Sequence, residues 1–277
     1  STWNSGSGFA PIGDYTGATP AEKSIRRFSG MFDGLGHTIS GLTINRPTTN
    51  FVGLFGYVTN TVVKNMGLTS ASVVGSTNVG ALIGFTHGTT INSYSTGSVS
   101  GSGNSTGGLV GGNDGTISNS YSAVNVSGTG ALIGGLVGLN YRTVTNSYAT
   151  GSVGGSGSVK GGLVGRNSTG ARNSLISNSY ATGDVSGGSN VGGLVGENER
   201  NVSANRAGTV SDSYATGEVT ATGNNAGGLA GSNSGNISDF SYATGDVTST
   251  SNYAGGLAGW SSGSISDSYA EGKVTST

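Results

Sequence analysis

A Gly-Gly-Leu-Val-Gly phrase, usually with Asn two residues later, recurs about every 27 residues from Phe51 onward. Its central leucines are Leu54, Leu82, Leu109, Leu136, Leu163, Leu194, Leu229 and Leu257, in steps of 28, 27, 27, 27, 31, 35 and 28. A second phrase, Asn-Ser-Tyr-Ala-Thr-Gly-x-Val, alternates with it and sets Tyr94, Tyr121, Tyr148, Tyr180, Tyr214, Tyr242 and Tyr269 in the same register. A unit of this length cannot bury its own apolar face and must stack on its neighbours. Within a unit the strand signals are short: Leu136-Val137, residues 144–150 and Val153, separated by the Gly, Ser and Asn of turns. No window carries helical periodicity. The repeat therefore predicts an all-β fold, a right-handed single-stranded parallel β-helix (β-solenoid) of about nine coils with roughly 27 residues per repeat. The hand follows from the chirality of parallel crossovers. At an inter-strand spacing of about 4.8 Å, such a rod is on the order of 40–45 Å long.

Composition agrees with a thin core. Gly numbers 55 of 277 residues, hydrophobic residues are 33%, charged residues 9%, and the net charge is −1. Disorder at this apolar content normally goes with high net charge, and here the apolar residues recur at fixed places. The scattered Lys and Arg form no basic run, which argues against nucleic acid as a partner. No apolar run approaches a membrane span, so no membrane insertion is expected. The absence of cysteine removes disulfides and thiolate metal sites.

Residues 1–50 read differently from the rest. They hold Pro11, Pro20 and Pro47, Trp3, and the charged residues Glu22, Lys23, Arg26 and Arg27. We read 1–50 as an N-terminal cap plus first coil, which shields the open end of the core. Residues 51–277 are then the continuous repeat domain. The C-terminus stops in mid-pattern at Lys273-Val274-Thr275, so the remainder of a longer chain is expected.

Identical residues in successive coils form columns. Asn113, Asn140, Asn167, Asn198 and Asn233, ending in Ser261, suit an amide ladder at a corner. The column Asn92, Asn119, Asn146, Asn178 turns acidic at Asp212, Asp239 and Asp267, and a third holds Asp184, Glu218 and Asp246. Carboxylates are calcium ligands, but no calcium-loop motif is present; solvated acids are the expectation, with no metal and no cofactor. The Tyr column either points outward, as an aromatic strip for sugars or proteins, or fills the core. Thr96, Thr150, Thr182, Thr216 and Thr244 form a threonine column of the kind that orders water on an ice-binding face.

Two insertions, residues 166–175 and 197–209, both follow the Leu phrase and should leave the rod as neighbouring loops. In repeat proteins such loops often mark a binding face. The candidate binding residues are accordingly Tyr148, Tyr180 and Tyr214 in the column, and Arg172, Arg200 and Arg206 in the loops. Catalysis is not expected: His37 and His87 lack partner spacing, no His-Glu-x-x-His occurs, and no serine is singled out.

The cores Gly53-Leu54-Phe55-Gly56, Gly108-Leu109-Val110-Gly111 and Gly228-Leu229-Ala230-Gly231, in a chain where such cores alternate with the Asn-Ser-Tyr-Ala-Thr-Gly phrase, resemble the GLUG repeat. Such repeats occur in filamentous-haemagglutinin-like adhesins and in non-catalytic regions of streptococcal immunoglobulin A peptidases. The resemblance implies a secreted or cell-surface module, adhesive or stalk-like, whose partner is a host or neighbouring-cell surface protein or glycan. It carries no catalytic residue onto this chain. The alternative is a glycan- or ice-binding solenoid using the Tyr or Thr columns.

Like charges one strand apart are weakly coupled at physiological salt, where the screening length is about 8 Å. Folding should not need metal. A thermal melt is expected to be unchanged by EDTA; a large fall in Tm restored by calcium would identify a metal site in the acidic columns.

Overall fold

A computed structural model describes residues 6–15, 26–250 and 253–276. Trp3, Pro20 and the charged residues Glu22 and Lys23 lie outside the described residues. Among those described there is no α-helix, and none long and apolar enough to cross a membrane. The coil that starts at Val137 is representative. It runs through strands Val137–Asn140, Thr143–Thr145, Tyr148–Ala149, Val153–Gly155 and Val159–Gly161 before the next coil begins at Val164. Every such strand pairs in parallel with its counterpart one repeat away: Val137 with Val164, Val144 with Ile176, Tyr148 with Tyr180, Val153 with Val185. The chain thus winds a β-solenoid walled by sheets of eight, nine, fifteen and six strands. The nine-stranded wall, from Phe32–Asp33 to Ser264–Ile265, counts the coils.

The core is one residue deep on each wall. Leu82, Leu109, Leu136, Leu163, Leu194 and Leu229 are fully buried, opposite Ile117, Val144, Ile176, Val210 and Ile237. The Gly-Gly that precedes Leu109, Leu136, Leu163, Leu194 and Leu229 marks a tight corner. A Cβ on Gly134 would land on the carbonyl oxygen of Val137, and one on Gly135 on the carbonyl of Gly162 and 2.9 Å from the Ala149 methyl. Alanine is accordingly the residue that follows Tyr on the inner face, at Ala149, Ala181, Ala215 and Ala243.

Three polar columns close the remaining hydrogen bonds. The buried amides of Asn113, Asn140, Asn167, Asn198 and Asn233 each donate Nδ2 to the next Oδ1 at 2.7–2.9 Å, and Asn233 ends on the Ser261 hydroxyl at 3.1 Å. The Nδ2 groups also reach corner carbonyls, as from Asn198 to Gly208. A second ladder, not anticipated from the repeat, uses the serine before each Tyr. The Oγ of Ser120, Ser147, Ser179 and Ser213 accepts the backbone N–H of the serine one coil earlier at 3.2 Å and donates to the carbonyl two residues back. The Asn-to-Asp column is a turn column. Asn65, Asn92, Asn119, Asn146, Asn178, Asp212, Asp239 and Asp267 all have φ between 45° and 55°, the left-handed region that short Asx side chains tolerate best after Gly. This backbone demand accounts for the interchange of Asn and Asp without invoking a ligand.

Residues before the repeats pair into the same walls: Phe32 with Val63, Thr38 with Gly67, Thr43 with Ser72. Ahead of them, Ile12 and Phe28 bridge Phe55 and Val58 and cover the N-terminal edge of the eight-stranded wall, with Phe9, Phe28 and Phe32 packed on the core.

One core position is anomalous. Lys160 stands in register between Ile133 and Val191, is 0% exposed, and donates Nζ to the Gly157 carbonyl. Burial pushes its ammonium down to about 8, below the unfolded value near 10.4. The amine is still protonated at pH 7, and burying that charge on folding costs about 3 kcal/mol of stability relative to the neutral form. Stability should rise as pH climbs from about 8 to about 10.4, and this rise should vanish in Lys160→Met, which gains about 2 kcal/mol at pH 7. Denaturant titrations of both proteins between pH 7 and 10 check this; parallel curves would refute it. In the amide ladder, Asn140→Ala strands the Asn113 donor and the Asn167 acceptor. A loss of about 3 kcal/mol is expected, and a loss below 1 kcal/mol by chemical unfolding would mean that the ladder contributes little.

Candidate functional site

Alternation on the fifteen-stranded wall places Tyr outward and the following Ala inward, yet the ring column is not an open strip. Tyr94, Tyr121, Tyr148, Tyr180, Tyr214, Tyr242 and Tyr269 stack face to face, with centroids 4.8–5.1 Å apart and planes within 8° of parallel. Each interior ring has both faces covered by its neighbours, and the Tyr94 ring lies on the Gly67 backbone where a Cβ would collide with it. Tyr148, Tyr180 and Tyr214 are half-buried and present ring edges and hydroxyls to solvent. Burial, with neighbouring phenols adding to it, raises the hydroxyls of Tyr121, Tyr148 and Tyr214 above the usual phenol value. The ladder is an inter-coil clasp: a sugar cannot stack on faces already occupied. The Thr column beside it is exposed in part and is broken by Ala123, which stands in register with Thr96.

The two insertions do leave the rod at one corner, between the eight- and nine-stranded walls. Residues 197–209 form an antiparallel hairpin, Arg200–Asn201 with Arg206–Ala207, whose tip carries the exposed Val202. It docks on the 166–175 loop, where Arg206 Nη1 donates to the Gly170 carbonyl at 3.1 Å and the Ala207 N–H to Asn173 Oδ1 at 3.3 Å. Gly170 in turn sits against the Tyr141 ring. Beneath them Arg166 bridges Glu197 at 2.6 Å and Glu199 at 3.2 Å, while Ser168 donates to Glu199 at 2.6 Å. Arg172 and Arg200 are exposed, and Arg206 is half-buried. The predicted arginines are thus gathered on one corner. The predicted tyrosines are not part of it, because the strands Leu175–Ser177 and Thr209–Ser211 intervene.

The same corner, followed toward the N-terminus, holds a polar chain that the sequence reading missed. His87 Nδ1 meets Asp114 Oδ2 at 3.0 Å, His87 Nε2 meets the Tyr57 hydroxyl at 2.7 Å, and Arg142 Nε lies 3.4 Å from Asp114 Oδ1. The expectation that His87 has no partner is corrected: Asp114 lies 27 residues on, one repeat, so the pair stacks as rungs of one corner. A shallow groove of about 390 Å³ runs past them, lined by Thr61, Thr89, Thr116 and Thr143. A carboxylate orienting an imidazole is half of a nucleophilic relay, but here the far nitrogen is held by Tyr57 rather than by a serine. These four side chains tie four successive coils together.

The acidic columns fall in different places. Asp212, Asp239 and Asp267 occupy the left-handed turn. Asp184 and Asp246 are exposed, and each accepts the backbone N–H of the acid or lysine below it, Glu218 at 3.0 Å and Lys273 at 2.8 Å. Among the described residues no three His, Cys, Asp or Glu side chains converge as metal ligands.

Residues 129–154, 157–186, 187–220 and 250–275 each match the GLUG motif. A 103-residue stretch is 45% identical to halomucin of Haloquadratum walsbyi, covering 37% of this chain and 1% of that protein. Another of 87 residues is 39% identical to a protein of Evansella cellulosilytica named as a Gly-rich membrane protein, covering 30% of this chain and 9% of that one. The chain therefore spans a small part of the curated relatives it matches. A solved structure from Bacteroides ovatus, assigned by name as an immunoglobulin A1 protease, aligns over 70% of this chain and 62% of its own at TM-score 0.49 and 23% identity. That likeness is too loose to carry function.

Proposed function

We propose that this array of GLUG repeats is a non-enzymatic module of a larger cell-surface or secreted protein, a stiff spacer that makes adhesive contact through its insertion corner. The observation that carries the reading is where the chain departs from its own repeat. The Asn, Ser and Tyr columns spend their hydrogen bonds and ring faces between coils. Beyond the ladder residues Asn167 and Asn198, the loop and the hairpin are additions to the repeat, and they present the exposed Arg172, Arg200 and Val202 on one corner. Exposed cations flanking an apolar tip suit a protein surface or a glycan on a host or neighbouring cell. The occupied ring faces and the broken Thr column speak against the Tyr ladder as a sugar platform and against ice. The paired nitrogens of His87 speak against catalysis.

The test replaces residues 199–208 by Ser-Gly, the link that joins Asn233 to Asn236 in the following coil. Beads coated with the trimmed protein should keep the parent Tm within a few degrees and lose at least fivefold in attachment to cell monolayers. Undiminished attachment would place the contact elsewhere.

A further inference from the structure

A second surface feature lies on the other flank of the eight-stranded wall. Two columns run side by side there. Asn190 and Asn225 are left-handed turn residues at φ 49° and 64°, continued by Tyr253, whose carbonyl accepts the Ala226 N–H. Glu197, Ser232 and Trp260 are the outward residues of successive strands, paired in register. In the upper coil the corner is closed, because Asn190 donates to the Glu197 carboxylate, which Arg166 also engages. One coil down, Ser232 replaces the glutamate and leaves a notch. One further down, two aromatic side chains floor it: Trp260 is 42% exposed and Tyr253 50%. The result is a pocket of about 340 Å³ lined by Asn190, Asn224, Asn225, Ser232, Tyr253 and Trp260. Its lining spans three successive coils, with the notch at Ser232 between Glu197 on one side and Trp260 on the other.

We propose that this pocket binds a neutral saccharide. Every lining side chain is uncharged, which disfavours sulfated or uronic-acid sugars and other ions. Exposed Trp and Tyr rings offer the apolar faces that pack against the C–H face of a pyranose. Amides carry both donor and acceptor and can engage vicinal hydroxyls in pairs, and the Ser232 hydroxyl adds a third group. The Asn225 amide is already oriented by its bond from Nδ2 to Asn190 Oδ1 at 2.6 Å, which sits in turn on Glu197. A volume above 300 Å³ lies in the range of small-ligand sites. The Tyr ladder has aromatic rings in greater number, but the face of Trp260 toward the preceding coil carries no stacked ring, because the residue in register there is a serine. The inference uses the surface-module reading only for where such a sugar would be met; the pocket itself is tested on the purified chain.

Trp260 is one of two tryptophans, so Trp3→Phe isolates its emission. Titration of that protein with cellotriose, chitotriose, mannotriose and lactose, followed by a printed glycan array, should give a saturable change in Trp260 emission with at least one neutral sugar. Trp260→Ala and Tyr253→Ala should each weaken array binding at least tenfold, and Trp260→Tyr should retain part of it. Ser232→Arg fills the notch against the Trp260 face while both rings are kept, on a column that already carries Arg166, and should abolish binding with an unchanged Tm. Binding that survives Ser232→Arg, preference for anionic glycans, or no hit among neutral glycans would overturn the proposal. Loss of cell attachment on trimming the hairpin is independent of all these outcomes, so failure of one reading is separable from failure of the other.

Discussion

A buried amide in a parallel stack sends one hydrogen bond to the corner carbonyls and another to the amide of the next coil, and it reaches that amide only when the coils are in register. The column from Asn113 to Asn233 imposes this condition four times in succession and then hands it to Ser261. Slippage by one residue would leave an unsatisfied donor and acceptor in each coil at a penalty of about 1–3 kcal/mol per group. It would also turn every leucine of the core outward, since side chains alternate with period two. The serine and tyrosine ladders repeat the same constraint on a different wall. Register, more than hydrophobic area, is what makes so thin a core specify one structure.

Insertions are tolerated where they leave register intact. Steps of 31 and 35 residues between leucines disturb neither the pairing of Val164 with Val195 nor that of Tyr180 with Tyr214. The extra residues are expelled at one corner, into a loop and a hairpin whose ends remain tied to their strands. Loop closure grows only slowly with length, so the cost is small. A solenoid thereby separates two tasks: the walls hold the rod, and individual corners vary. The insertion corner and the Tyr253–Trp260 pocket lie on opposite flanks of the eight-stranded wall.

Much of the architecture was legible because a fixed period converts sequence spacing into spatial neighbourhood. The inward leucines, the Asn corner and the shared exit of the two insertions all follow from it. The same rule reached His87 and Asp114, one repeat apart, but a single pair in a chain full of coincidences at that distance does not announce itself. Lys160 was overlooked for a different reason: one lysine in a Val/Ile/Ala column is visible only once the column is known to face inward.

What the sequence determined by itself is the period, and with it the solenoid, the number of coils and which residues share a column, since these depend on repetition alone. What only the tertiary structure decided is how each column spends its free surface. Whether seven tyrosines form an open aromatic strip or a closed stack depends on side-chain torsions and on a strand spacing close to the thickness of stacked rings, and neither is written in residue order. The left-handed turn that makes Asn and Asp interchangeable, and the notch that a serine leaves between Glu197 and Trp260, likewise arise from backbone conformation and from neighbours that meet only when the coils are stacked.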